Sequence, residues 1–104
     1  MTTWNRTAGD GGPDLVVQLD GIDNLGPVTG VVGRVSRDGE AVAELAGSVI
    51  DAALRHVQLD VSVWLPTAVE ELYDLKTVVT LGGGDSPVSW PEIGYDHINV
   101  TAQR

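Results

Sequence analysis

His56 and His97 are the only imidazoles in the chain, and neither HxH nor HxxxH spacing brings two ring nitrogens onto one metal ion. Asp20, Asp23 and Asn24 offer oxygen ligands to a hard cation such as Ca²⁺. Their spacing is not that of an EF-hand, and a solvated turn is the plainer reading. Gly82, Gly83, Gly84 and Asp85 have the glycine density of a phosphate loop. No Lys-Ser/Thr follows them, and the run opens onto a strand rather than a helix, so a wide hairpin turn accounts for it better. No serine lies in a GxSxG elbow, and no paired carboxylates or triad stand out. With no cysteine, thiolate chemistry and disulfides are excluded. The expectation is a protein that is not an enzyme, uses no cofactor and holds no metal, and whose function lies in what it touches.

Contact residues are therefore the ones to weigh, and the aromatic set is small: three Trp, two Tyr and no Phe. Trp4 is a lone large ring among small polar residues. It either folds back onto its own domain or inserts into a neighbouring subunit. Trp90 precedes Pro91, and Tyr95 follows in the same loop region. Trp4, Trp90 and Tyr95 are the candidate protein-interface residues, because tryptophan and tyrosine anchors are enriched where proteins meet. For Trp64 and Trp90 the rival reading is a plug at the end of the core. Tyr73 opens a strand whose inward set would be Tyr73, Leu75, Thr77, Val79 and Leu81. Its hydroxyl is placed to tie back to a loop backbone, as in the tyrosine corner of β-sandwiches; an ordinary core tyrosine is the alternative.

Charge narrows the partners. Fifteen carboxylates stand against six Lys and Arg, giving a formal charge of −9, and Lys76 is the single lysine. Nucleic-acid binding needs cations to neutralise phosphates, so neither a nucleic acid nor an anionic membrane is an expected partner. The acidity reads either as solvated surface or as a face that docks on a basic protein. No apolar segment approaches the length of a membrane span. The start, MTTWNRTAGDGGP, lacks the basic and apolar regions of a secretory leader, so the expectation is synthesis in the cytoplasm.

The elements that position these residues follow from turn chemistry and period. Residues 1–13, with Gly9, Gly11, Gly12 and Pro13, read as a flexible N-terminal arm, and 14–104 as one domain. DLVVQL (14–19) is the first credible strand and 20–27 a loop. Residues 28–36 form a second strand in which Gly30 and Gly33 signal a bulge or close backbone approach. Asp38-Gly39 is a hairpin dipeptide. Residues 41–57 then fit two descriptions. Val42, Leu45, Ala46, Val49, Ile50, Ala53, Leu54 and Val57 have helical spacing. Gly47-Ser48 in mid-span argues against a helix, where glycine costs about 1 kcal/mol relative to alanine. The alternative is a strand over 40–50, a tight connection near 51–54 and a strand over 55–65. The neighbouring strands favour this β reading. Val57, Leu59, Val61 and Val63 alternate with polar residues, the mark of a half-buried strand.

The succession SRDGEAVAEL, VID, HVQLDVSVWLP, ELYDLKTVVTLGGG, SW and INVTAQR, over residues 28–104, resembles a family of immunoglobulin-like β-sandwich domains of tailed-bacteriophage virion proteins, such as the N-terminal domain of upper baseplate proteins. The chain departs from that pattern at Leu72, where a Gly is usual before the tyrosine. It departs again at Leu54-Arg55, where a Gly usually occupies the turn. The resemblance implies an all-β, immunoglobulin-like antiparallel sandwich of about seven strands. It also implies a structural role in the virion, at the tail or baseplate or as a head accessory, with other virion proteins as partners. A homo-oligomer or symmetric assembly would be expected there. The alternative is a free-standing adhesion or carbohydrate-binding module in which Trp90 and Tyr95 would contact a glycan.

Overall fold

The computed structural model describes residues 2–19, 28–81, 87–91 and 94–102. Its regular structure is strand, apart from one 3-10 turn at Leu65–Thr67. The strands are β1 (Thr3–Thr7), β2 (Leu15–Gln18), β3 (Val28–Arg37), β4 (Glu40–Asp51), β5 (His56–Leu59), β6 (Glu71–Leu81), β7 (Val88–Trp90) and β8 (Asp96–Thr101). They pair in the order β1-β8-β6-β3-β4-β5-β2, and every pairing is antiparallel except β1 with β8. β8 lies along residues 71–75 of β6, and β7 lies along 77–79 of the same edge. The two therefore share one edge of β6. The whole is a single coiled sheet with barrel-like closure around one core.

Residues 40–51 are strand, not helix, and the reason is local. Asp38 and Gly39 both take positive φ (52° and 82°), the requirement of a two-residue type I′ hairpin. This turn sets Glu40 against Arg37 and fixes the β3–β4 register. Once β4 lies beside β3, the apparently helical spacing resolves into a strand that changes partners. Its first half pairs with β3 as far as Ala46, and its second half pairs with β5 from Gly47. The connection at 52–55 is closed by the Leu54 N–H donating to Asp51 Oδ1 (3.0 Å) and the Arg55 N–H donating to the Ala52 carbonyl (3.3 Å). Arg55 takes φ 59°, the left-handed conformation for which glycine is best suited.

Two glycines make that change of partner feasible. A Cβ on Gly47 would come within 2.6 Å of Val31 Cγ1 and 2.8 Å of the Val31 carbonyl oxygen. A Cβ on Gly33 would come within 2.7 Å of Leu59 Cδ1. Leu59 thus sits over both glycines, and this close approach lets β5 fold across β3. Gly30 marks the irregularity in the β3–β6 register between Val28 and Gly30. The bulge and the close approach read from these glycines are both present.

The core is almost wholly aliphatic. Leu15, Val17 and Leu19, Val31 and Val35, Leu45, Val57 and Leu59, and Ile98 and Val100 fill it. The inward face of β6 is as expected: Tyr73, Leu75, Thr77 and Val79 are buried and Leu81 packs partly. The Tyr73 hydroxyl donates to the Val69 carbonyl (3.0 Å), tying strand to preceding loop. Trp64 is buried and meets Tyr73 edge-on, centroids 5.0 Å apart and planes at 88°, a geometry that adds about 0.5–1.5 kcal/mol to the burial itself.

Two expectations need correction. The alternating strand does not reach residue 65. Pairing ends at Leu59, the chain turns, and Val63 is 85% exposed while Val61, Trp64 and Leu65 are buried. Trp64 and Leu65 are adjacent, and adjacent strand residues point to opposite faces, so burying both requires the chain to leave the strand. The second correction concerns the arm. Residues Thr3–Thr7 are an eighth strand, paired in parallel with β8 from Thr3 beside His97 to Thr7 beside Thr101. The Thr2 N–H donates to Asp96 Oδ1 (2.8 Å), the Ala8 N–H to the Thr101 carbonyl (2.8 Å), and Asn99 Nδ2 to Asn5 Oδ1 (3.1 Å). The glycines that suggested looseness begin only at residue 9.

Candidate functional site

A coiled sheet that does not close completely leaves edges, and these are where a protein of this composition can act. The path ends at β1 and β2, which pair with β8 and β5 respectively and not with each other. Arg6 spans the seam between them. Its Nε donates to the Pro13 carbonyl (2.8 Å) and its Nη2 to the Asp14 carbonyl (3.2 Å). Partial burial pulls the Arg6 guanidinium below its ordinary pKa, opposed by the Asp14 carboxylate, and it stays charged at any physiological pH. Asp14 in turn accepts from the Val61 N–H (3.1 Å) and from Gln58 Nε2 (2.8 Å). One Arg and one Asp thus fasten the first strand to the second and the second to β5.

The seam opens into a recess of about 220 Å³ between Trp4 and Thr2 of the N-terminal segment, Val16 and Gln18 of β2, and Trp90 and Asp96. Two of the three candidate interface residues therefore meet there. Both Trp4 and Trp90 are half-buried and pack against the core. Trp4 stands beside Ile98 in the β1–β8 ladder, so its ring comes down on the core side of the sheet. Tyr95 is elsewhere. It is 42% exposed, with Lys76 Nζ 5.1 Å from the ring centroid, and the same ammonium donates to the Pro91 carbonyl. The contact is a cation–π pair at an exposed site, of about 0.5–1 kcal/mol.

No sequence motif marks the second edge. β4 is twelve residues long and β5 four, so β5 covers only the far half of β4. The Asp60 N–H donates to the Ala46 carbonyl (2.8 Å), and there the chain turns away into residues 61–67. Between the uncovered half of β4 and that turn lies a groove of about 370 Å³, lined by Glu44, Leu45, Asp60, Val63, Trp64 and Thr67. A shallower hollow, with Val42, Ala43 and Arg34, continues it along the strand. Val42 is also exposed. The signal that could have disclosed this edge was the run Val63-Trp64-Leu65-Pro66, which no single strand face can bury.

Chemistry-bearing residues do not assemble. His97 Nδ1 lies 3.1 Å from Asp74 Oδ1 on the outer face, without the alignment of a hydrogen bond. Among the described residues no three His, Asp or Glu side chains converge on a cation position. Asp20, Asp23, Asn24 and the 82–85 glycine run lie outside the described residues. Among the described residues no helix is long and apolar enough to cross a membrane. No protein-family model and no curated protein matches this chain.

Proposed function

We propose that this chain is a non-enzymatic structural domain of a tailed-phage virion, an immunoglobulin-like β-domain that docks on other virion proteins through its sheet edges and exposed loops. The observation that carries the docking part is the uncovered half of β4, bordered by the exposed apolar side chains Val42 and Val63. Unpaired edges are templates for another chain, and a protein that leaves one beside apolar surface has a place for a partner. The virion part rests on the resemblance of residues 28–104 to the phage β-sandwich domains. The Asp38-Gly39 hairpin leading into β4 and the Tyr73-Asp74 pair near the start of β6 support it. The N-terminal segment enters this reading as a strand of the domain itself, with Trp4 turned to the core. The adhesion alternative asks for Trp90 and Tyr95 as an open pair of rings; Trp90 packs against the core, which favours docking.

Quantitative mass spectrometry of purified particles from the source tests the proposal. Hundreds of copies per particle place the chain on the head, and a handful to a few dozen at the tail, baseplate or connector. Absence from particles removes the virion reading.

A further inference from the structure

We propose that the free edge of β4 receives an extended segment of a partner protein, one that alternates apolar with basic side chains and adds to β4 as a further strand. This rests on the docking reading above and names its edge and the chemistry of its partner.

The backbone supplies the first argument. The Ala46 carbonyl points away from β3, since it accepts from the Asp60 N–H. Backbone groups along a strand repeat every two residues, so those of Glu44 point the same way. Residues 61–67, which would have to continue β5 to meet them, are drawn into a tight turn by the Leu65 N–H donating to the Val61 carbonyl (2.8 Å). The Glu44 N–H and C=O are left facing the groove with no strand beside them among the described residues.

Side chains supply the second. A strand laid along this edge would turn alternate residues inward, over Leu45 and Trp64 and under Val63, where the lining is apolar. The other residues would stand on the outer face beside Glu44 and Val42. Glu44 and Asp60 are both exposed there, and Arg34, opposite Glu44 in the β3–β4 pair, is the one cation lining either hollow. Asp60 is held as a carboxylate by Ser62, whose N–H donates to Oδ1 (2.8 Å). Main-chain bonds to the edge give such complexes their affinity, and alternate side-chain positions give their specificity.

Charge also selects the occupant. A second copy added antiparallel to the first would bring the Glu44 side chains of two chains together, each chain carrying −9. Like charges facing each other across a strand pair are destabilising. A partner with Lys or Arg at the outward positions meets the opposite situation.

The test is a titration of the ¹⁵N-labelled chain with a capped hexapeptide of alternating lysine and valine. Amide shifts over residues 43–46 and at the Trp64 indole, with affinity about tenfold lower in Glu44→Lys, are the expected result. A peptide N-methylated at the positions facing β4 should bind about tenfold more weakly, because it lacks the donors for the new ladder. Shifts centred on the β1–β2 seam would overturn the proposal, as would equal binding by Glu44→Lys or by the N-methylated peptide. No binding at all would mean that the edge acids serve only to keep strands apart. Glu44 is exposed, so an unchanged spectrum away from β4 verifies the variant's fold. Particle counting separates the two readings. A chain present in particles, with Glu44→Lys incorporated equally well, leaves the virion reading standing and removes the edge. Absence from particles removes the virion reading and leaves the peptide result intact.

Discussion

The seam between β1 and β2 and the free half of β4 are both places where the sheet stops, and the chain treats them in opposite ways. At the seam, Trp4 and Trp90 line the gap, the Arg6 guanidinium takes up the carbonyls of Pro13 and Asp14, and the Asp14 carboxylate ties β2 back to Gln58 and Val61. At β4 nothing is brought across. The groove keeps an apolar floor, an 85% exposed valine at its lip and a border of carboxylates. A sheet edge left bare invites uncontrolled pairing, and charge on or beside it is one way to restrict who may pair. The seam is thus an edge closed by stability, and the β4 groove an edge guarded by charge. Substitutions at the first should cost folding, and at the second binding alone.

The corner that separates covered from uncovered β4 is the most sensitive point. Leu59→Ala should cost about 2–5 kcal/mol, since Leu59 is fully buried over two glycines that cannot collapse to fill the space. Gly33→Ala and Gly47→Ala should each cost about 1–3 kcal/mol by overpacking. Their coupling to Leu59 should differ. An added Cβ at Gly33 meets chiefly the Leu59 methyl, so Leu59→Ala should recover much of the loss. An added Cβ at Gly47 also meets the Val31 carbonyl oxygen, which cannot retreat, so recovery should be small. Urea unfolding of the single and double variants measures both; equal recovery would show that backbone crowding does not set the corner.

Seam and edge are compared directly by a smaller pair of effects. Asp14→Ala leaves the buried side of the Val61 N–H without its acceptor and frees Gln58, and should cost about 1–3 kcal/mol. Trp4→Ala should cost about as much, through lost packing of a half-buried ring. Val63→Ser should stay within about 0.5 kcal/mol, as surface substitutions generally do, and Glu44→Lys, opposite Arg34 in the β3–β4 pair, should cost no more than about 1 kcal/mol. Thermal unfolding of the four variants decides. If Trp4→Ala were as silent as Val63→Ser, the seam tryptophan would belong to an interface with another molecule.

Much of the fold was legible because its signals are local. Asp38-Gly39 dictates a turn, the 73–81 alternation dictates a face, Gly30 and Gly33 mark a bulge and a close approach, and Gly47 argues against a helix over 41–57. What was not legible depended on residues far apart in the chain. β1 exists because His97 to Thr101 offer it an edge, and five residues around one tryptophan carry no period strong enough to say so. The alternation that would turn Val63 inward is real as far as Leu59 and stops four residues short of it. The same break hides the β4 groove, which exists only because residues 61–67 leave β5. Of the candidate interface residues, Trp4 and Trp90 were recognisable as large rings near ends. Their shared recess comes from closing the sheet, and Tyr95 falls outside it.

Inside the sheet, Thr77 presents a hydroxyl that is fully buried with no hydrogen-bond partner, between Leu75 and Val79 on the inward face of β6. Thr77→Val keeps the shape and removes the unpaired group, and should stabilise the domain by about 1 kcal/mol. Because β6 adjoins neither free edge, the gain should leave peptide binding at β4 unchanged. A destabilised Thr77→Val would mean that the hydroxyl is satisfied in solution.

The smallest effect concerns the acid at the groove's rim. Asp60 accepts from Ser62 through both side chain and backbone, and these bonds favour the carboxylate, lowering its pKa from the ordinary 3.8. The sign follows from the direction. A group whose folded pKa lies below its unfolded one contributes stability that is present above the unfolded value and lost as pH falls through the folded value. Asp60 should therefore add to the acid limb of the stability profile only below about pH 4. Side-chain carboxyl titration by NMR should place its midpoint below the ordinary Asp value. Asp60→Asn should flatten the acid limb slightly while weakening the lysine–valine peptide at neutral pH. A midpoint at or above the ordinary value would detach the Ser62 turn from the charge at the groove, leaving Glu44 to guard the edge alone.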